Sequence, residues 1–228
     1  MGTSGFIKGL YSFSLWVIKF VSLNAIWLIM NIPIVFLFLN VLAAETADHL
    51  LVNIFTIVIL IPFLLFPSTT AMFGVVRQWI MGNTDIRILH SFWKYYRENY
   101  VRSLLGGVII APLSAILVVD YFYFTEASSP LFYIFLFVGV FIFVLIMHFF
   151  SNTVHVDLKF STTLRNSFLL SVGSPIHTIG IAASSFIIIY ISIKVASTLI
   201  FLGAGSCLAY CSFYLYYKSQ SQMIEQKS

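Results

Sequence analysis

Charge is what this sequence lacks. Only 9% of its 228 residues are Asp, Glu, Lys or Arg, against roughly 25% in soluble domains. So few charges cannot cover the surface of a soluble globular protein, and at 60% apolar residues the chain is too hydrophobic to stay disordered. With only two cysteines it is not a disulfide scaffold. Catalytic signatures are missing as well: there is no phosphate loop, no Gly-x-Ser-x-Gly, no His-Glu-x-x-His and no dinucleotide fingerprint. What remains is the composition of an integral membrane protein.

The few charges divide the chain into long uncharged runs. Lys19 to Glu45 encloses 25 uncharged residues, Asp48 to Arg77 encloses 28, and Arg102 to Asp120 encloses 17. Glu126 to Asp157 encloses 30, Arg165 to Lys194 encloses 28, and Lys194 to Lys218 encloses 23. A spanning helix needs about 20 apolar residues, with a range of roughly 17–25. Backbone in lipid must satisfy its own hydrogen bonds, and runs such as Phe132–Met147 lack the alternation of a β-barrel strand. The sequence therefore predicts an all-α, polytopic membrane helix bundle, one transmembrane domain over residues 1–228. Its six spans fall at about 13–42, 50–76, 103–124, 130–151, 172–193 and 195–217. The first run is far longer than the roughly 7–15 apolar residues of a signal peptide, so it reads as a span.

Charge asymmetry sets the expected orientation. With the N-terminus in the cytoplasm, eleven of the twelve basic residues fall inside and Lys194 alone falls outside. The positive-inside rule then places both termini in the cytoplasm. A five-span alternative merges the last two runs and puts Lys218 and Lys227 outside. The outer turns, Ala43–His49, Thr125–Pro130 and the residues around Lys194, are too short to form a receptor domain. The inner connections, Met81–Val101 and Asn152–Ser174, are longer.

Met81–Val101 carries a helical pattern. Ile86, Leu89, Phe92, Trp93, Tyr96 and Tyr100 recur at helical spacing, and Arg87, His90, Lys94, Arg97 and Glu98 fill the other faces. Asn83 or Thr84 can cap the start, and Asp85 suits the helix dipole. The pattern predicts a cytoplasmic amphipathic helix over about 84–100, lying at the lipid headgroups or docking a partner. A weaker version at Leu158–Ser171 predicts a short helix that runs into the fifth span. The stretches Phe66-Pro67-Ser68-Thr69-Thr70 and Phe150-Ser151-Asn152-Thr153 begin these two inner regions alike, too briefly to establish a repeat.

Pro33, Pro62, Pro67, Pro112 and Pro175 lie in or beside spans, where proline removes a helix hydrogen bond. Pro62 and Pro67, with Ser68, Thr69 and Thr70, form the best candidate break, because hydroxyls there can take up the freed carbonyls. Such breaks either kink a helix or line a substrate path. No carboxylate sits centrally in a span: Lys19, Asp120 and Lys194 are all near ends. His148, His155 and His177 are not at metal-ligand spacing, and no Cys or carboxylate completes a set. Gly203, Cys207 and Cys211 fall at four-residue intervals and, joined by Gly205, Ser206 and Ala209, predict a close helix–helix packing face. No catalytic residue, metal or cofactor is expected, and a net charge of +4 that comes from inner loops needs no nucleic acid to explain it.

Asn24-x-x-Trp27, a span ending at Pro33, Pro67-x-x-x-Ala71-Met72-Phe73 with Arg77, and Phe92-Trp93-x-x-Tyr96-Arg97-x-Asn99-Tyr100 together resemble the YesL-like family of bacterial membrane proteins, whose domain is of unknown function. The motifs cover about residues 24–103. The resemblance implies a multi-pass protein of the bacterial plasma membrane, in a family often found beside genes for carbohydrate ABC importers and polysaccharide breakdown. It implies no catalytic residues. It implies a role for Phe92, Trp93, Tyr96, Arg97, Asn99 and Tyr100 as a family-typical cytoplasmic element, and Arg87 adds charge beside them. The expected function is an accessory or assembly subunit of a carbohydrate ABC importer, in contact with lipid and with a permease or ATPase, and homo-oligomers are compatible with it. A small stand-alone transporter or channel is the alternative, and a membrane-embedded enzyme is disfavoured by scattered polar groups.

Overall fold

The computed structural model describes residues 3–126, 130–194, 198 and 200–225, and every regular element among them is helical. In chain order these are α1 (Thr3–Met30), α2 (Ile32–Leu42), α3 (Ala47–Leu60), α4 (Phe66–Ile80), α5 (Ile88–Glu126), α6 (Phe132–His155), α7 (Phe160–Gly173), α8 (Pro175–Lys194) and α9 (Gly205–Glu225). Two π-helical turns, Ile61–Leu65 and Ile200–Ala204, precede α4 and α9. Five stretches are long and apolar enough to cross a membrane: Ile7–Met30, Ala47–Ile80, Ile88–Thr125, Phe132–His155 and Pro175–Lys194. The protein is a multi-pass membrane helix bundle. The sixth expected span, 195–217, falls partly outside the described residues, and its described part is the second π turn and the start of α9.

Three stretches differ from expectation. The first run, 13–42, is two helices that part at Asn31. Pro33 lies in the first turn of α2, where its missing N–H costs nothing. The inner helix expected over 84–100 is not a separate element. It forms the first third of α5, a single helix of 39 residues, because neither proline nor a loop-forming cluster separates it from the third span. Its buried positions Ser91, Phe92, Tyr95, Asn99, Ser103, Gly106, Gly107, Ile110 and Ala111 continue at three- and four-residue steps through the point where the charges stop. The inner loop before α8 forms a helix of its own, α7, starting two residues later than the pattern suggests.

Packing is concentrated toward one end. Leu23 of α1, Phe66, Met72, Phe73, Val75, Val76 and Trp79 of the α4 region, Phe92 of α5, Phe149 and Phe150 of α6, and Phe213 and Tyr216 of α9 form one core. Arg77, Arg102 and Asp157 line a cavity at this end, and Lys19 reaches the Thr84 carbonyl at 2.9 Å. It is therefore the basic end of the bundle. Gly82, with a φ of 94°, closes α4 here, and the Gly82 and Asn83 amides bond to the Trp79 and Gln78 carbonyls. The two look-alike stretches meet in space, with the Phe66 and Phe150 rings 5.1 Å apart.

Candidate functional site

The expected break around Pro62 and Pro67 is a π turn followed by an unbroken helix. Pro62 lies inside the turn and Pro67 in the first turn of α4. The Ser68 hydroxyl lies 2.6 Å from the Leu64 carbonyl and 3.1 Å from that of Leu65, a back-bond to the end of the irregular turn. Asn31 donates to Ser68 at 2.8 Å, and the Trp27 indole donates to Thr69 at 3.0 Å. The turn is clamped from the other side by α5, where a Cβ on Gly107 would lie 2.6 Å from Pro62 Cα. Asn24 continues the polar row on α1 and donates to the Phe201 carbonyl at 2.7 Å. Asn24 thus reaches the second π turn, while Trp27 and Asn31 bond to the first turn of α4 just after the first.

Small residues at the start of α9 meet α1, with Gly205 and Ser206 of the expected face making the contact. Ser206 bonds to the Phe20 carbonyl at 3.0 Å, and a Cβ on Gly205 would lie 2.8 Å from Asn24 Oδ1. Around Gly203 the nearest atoms are Ser206 and Cys207 of its own segment. Cys207 and Cys211 are half-buried free thiols. The π turn holds one residue more per turn than an α-helix, and this rotates the packing face away from a plain four-residue pattern.

The aromatic and basic residues of α5 divide between two faces. Phe92, 1% exposed, and Asn99 lie inside the bundle. Asn99 donates to the Tyr95 carbonyl at 3.1 Å and accepts from Arg102 at 2.9 Å. Trp93, 42% exposed, lies outside, stacked on Tyr96 with ring centroids 5.3 Å apart and planes 1° from parallel. The Arg97 guanidinium sits 5.1 Å from the Trp93 ring, a cation–π geometry. Tyr96 also contacts Tyr100 at 5.5 Å. Leu89 and Val101 flank this stripe, both strongly exposed, and Arg87 is exposed just before the helix. Trp93, Tyr96, Arg97 and Tyr100 therefore form one preorganised outer surface.

Single polar residues inside apolar runs build contacts that the sequence did not reveal as a set. Ser103 of α5 lies 2.8 Å from Thr70 of α4. Asn152 of α6 bonds to the Thr163 carbonyl at 3.2 Å and accepts from Tyr216 of α9 at 3.3 Å. Ser219 bonds to Ser174 at 2.9 Å. Their only signal was polarity where lipid-facing residues would be apolar, and their partners lie up to 64 positions away in sequence. Among the described residues, no group of three His, Cys, Asp or Glu side chains could hold a metal ion.

Residues 48–121 match the family described as "Protein of unknown function, DUF624". The chain is 24% identical over 221 residues to the uncharacterized protein YesL of Bacillus subtilis (strain 168), covering 96% of this chain and 93% of that one. It is 24% identical over 225 residues to the uncharacterized protein YteU of the same organism, covering 95% and 87%. A third relative there, the uncharacterized protein YesV, is 28% identical over 116 residues, 49% of this chain and 56% of that one. No solved structure matches significantly. The similarity to YesL extends over almost the whole chain, beyond residues 48–121 and through the second half.

Proposed function

We propose that this protein is a non-enzymatic accessory or assembly subunit of the bacterial plasma membrane, acting by contact through the basic end of its bundle. The observation that carries the reading is the outer stripe of α5. Trp93 is held by its stacking on Tyr96 and by the Arg97 guanidinium, so a large amphipathic anchor is presented with little conformational freedom left to lose. The family resemblance supplies the partner class, the permease or ATPase of a carbohydrate ABC importer. Phe92 and Asn99 support the stripe from within, while Trp93, Tyr96, Arg97, Tyr100 and Arg87 make the contact.

The test is purification of a tagged chain from its own host in mild detergent, followed by mass spectrometry of what accompanies it. Importer subunits are expected with the wild type and lost on the double change Trp93→Ala and Tyr96→Ala, with the thermal unfolding midpoint retained. A double variant that keeps its companions, or a wild type with none, removes the reading. A stand-alone transporter is the second reading, favoured by the two π turns, one reached by Asn24 at Phe201 and the other followed directly by Ser68, which Asn31 bonds. In that reading Pro67→Ala or Ser68→Ala changes flux in proteoliposomes and leaves assembly intact.

A further inference from the structure

At the basic end, α4, α5 and the end of α6 enclose a polar cavity of about 450 Å³, lined by Arg77, Tyr95, Asn99, Arg102, Thr153 and His155, with Glu98 and Asp157 also in its wall. Its charges are unequally matched. Arg102 is 3.0 Å from Asp157, whose side chain is otherwise exposed to solvent. Arg102 is fixed further by the Leu158 carbonyl at 3.1 Å and by Asn99 at 2.9 Å. Glu98 is 3.9 Å from Lys94, and both are about half exposed. Each wall carboxylate thus has its own cation. Arg77 has no carboxylate within ion-pair distance among the described residues, and its Nε is buried with no hydrogen-bond partner. His155 Nδ1 is likewise buried without a partner. The Tyr95 hydroxyl accepts from Gln78 at 3.0 Å, which leaves its own proton free to donate.

A half-buried cation without a counter-ion is costly, and an unmatched N–H beside it adds to that cost. An oxyanion in the cavity relieves both. Guanidinium groups favour phosphate because their paired N–H donors match two phosphate oxygens at once. We propose that this cavity binds a phosphate-bearing anion, held chiefly by Arg77, with Tyr95 and His155 as further polar contacts and Arg102 as the fixed opposite charge. Two sources offer that chemistry at a membrane interface: a free phosphate compound and the headgroup of an anionic lipid. The site does not include Trp93, Tyr96, Arg97 or Tyr100 of the outer stripe, and Asn99 borders both.

The experiment uses the full chain in neutral detergent. In one arm, inorganic phosphate is titrated against chloride at matched ionic strength. In the other, phosphatidylglycerol is titrated against phosphatidylcholine in mixed micelles, with native mass spectrometry of retained lipid. The unfolding midpoint is expected to rise saturably in one arm, because a ligand that binds only the folded state stabilises it. A rise with inorganic phosphate identifies a soluble ligand. A rise confined to phosphatidylglycerol, with lipid retained, identifies a headgroup. Arg77→Gln is expected to abolish the response. Arg77→Lys keeps the charge and protects the fold, and is expected to weaken binding about tenfold or more through loss of the paired contact. A flat wild-type response in both arms, or Arg77→Lys binding as tightly as wild type, overturns the site.

Discussion

Helices α3 and α4 form one apolar run in the sequence and share the π turn at Ile61–Leu65, yet they are built differently. α3 has no buried residue, whereas α4 buries eleven of its fifteen. The same division runs through the bundle. α2 has no buried residue, and the buried positions of α6 begin only at Val144, twelve residues into the helix. Lipid is as apolar as leucine, so an apolar side chain gains little by leaving lipid for a neighbouring helix. Close packing then depends on small and polar groups. The basic half has them, in Ser68, Thr70, Gly74, Ser103, Gly107, Ser151 and Asn152. The opposite half of α6 is mainly Phe, Leu, Ile and Val, and it faces outward.

The comparison is broken most severely by overfilling the tight half. Gly107→Leu places a branched side chain where even a Cβ would lie 2.6 Å from Pro62 Cα. It should cost about 3 kcal/mol, the upper end of the overpacking range. Gly139 has nothing within 4 Å of a built Cβ, and Gly139→Leu should stay within about 0.5 kcal/mol of wild type. Unfolding midpoints in detergent measure both, and equal losses would erase the distinction between the halves. Emptying the core comes next. Phe149 is fully buried and Phe137 is 74% exposed. Phe149→Ala should cost about 3 kcal/mol, the lower end of the range for an emptied aromatic site, and Phe137→Ala almost nothing. A smaller effect is expected at the clamp. Ser68→Ala strips the hydroxyl from the Leu64 and Leu65 carbonyls and should cost about 1 kcal/mol, with a control at the exposed Thr56, which bonds only within α3.

Much of this was legible because charge is so scarce. The uncharged gaps mark long helices whatever the details of packing, and Pro67 beside Ser68 announces both an irregular ladder and a hydroxyl that bonds back to it. Continuity was harder to read. The change from basic and aromatic residues to plain apolar ones near Arg102 looks like a boundary, but it marks a change of surroundings along one helix. Nothing between Tyr100 and Val101 stops the backbone. The π turn before Gly205 was hidden because it inserts its extra residue without any change of residue type. The cavity was hidden for a different reason. Arg77, Arg102 and His155 each read as an ordinary end-of-span residue, and only the folded chain brings them to one space.

The smallest predicted effect is the most informative about how the basic half holds together. Ser103 reaches Thr70 across the α4–α5 interface at 2.8 Å, and Thr70 bonds in turn to the Phe66 carbonyl at 2.9 Å. Interhelical hydrogen bonds of this kind couple by about 0.6 kcal/mol on average in membrane proteins. A double-mutant cycle of Ser103→Ala and Thr70→Val, read by unfolding in detergent, should return a coupling of about that size. A clear coupling makes the hydroxyl chain an adhesive element in its own right. A coupling of zero, with both single variants still destabilised, assigns the effect to volume alone. Ser103 and Thr70 would then serve the basic half as Gly107 does, by letting two backbones approach, and the contrast with the open half would reduce to side-chain size.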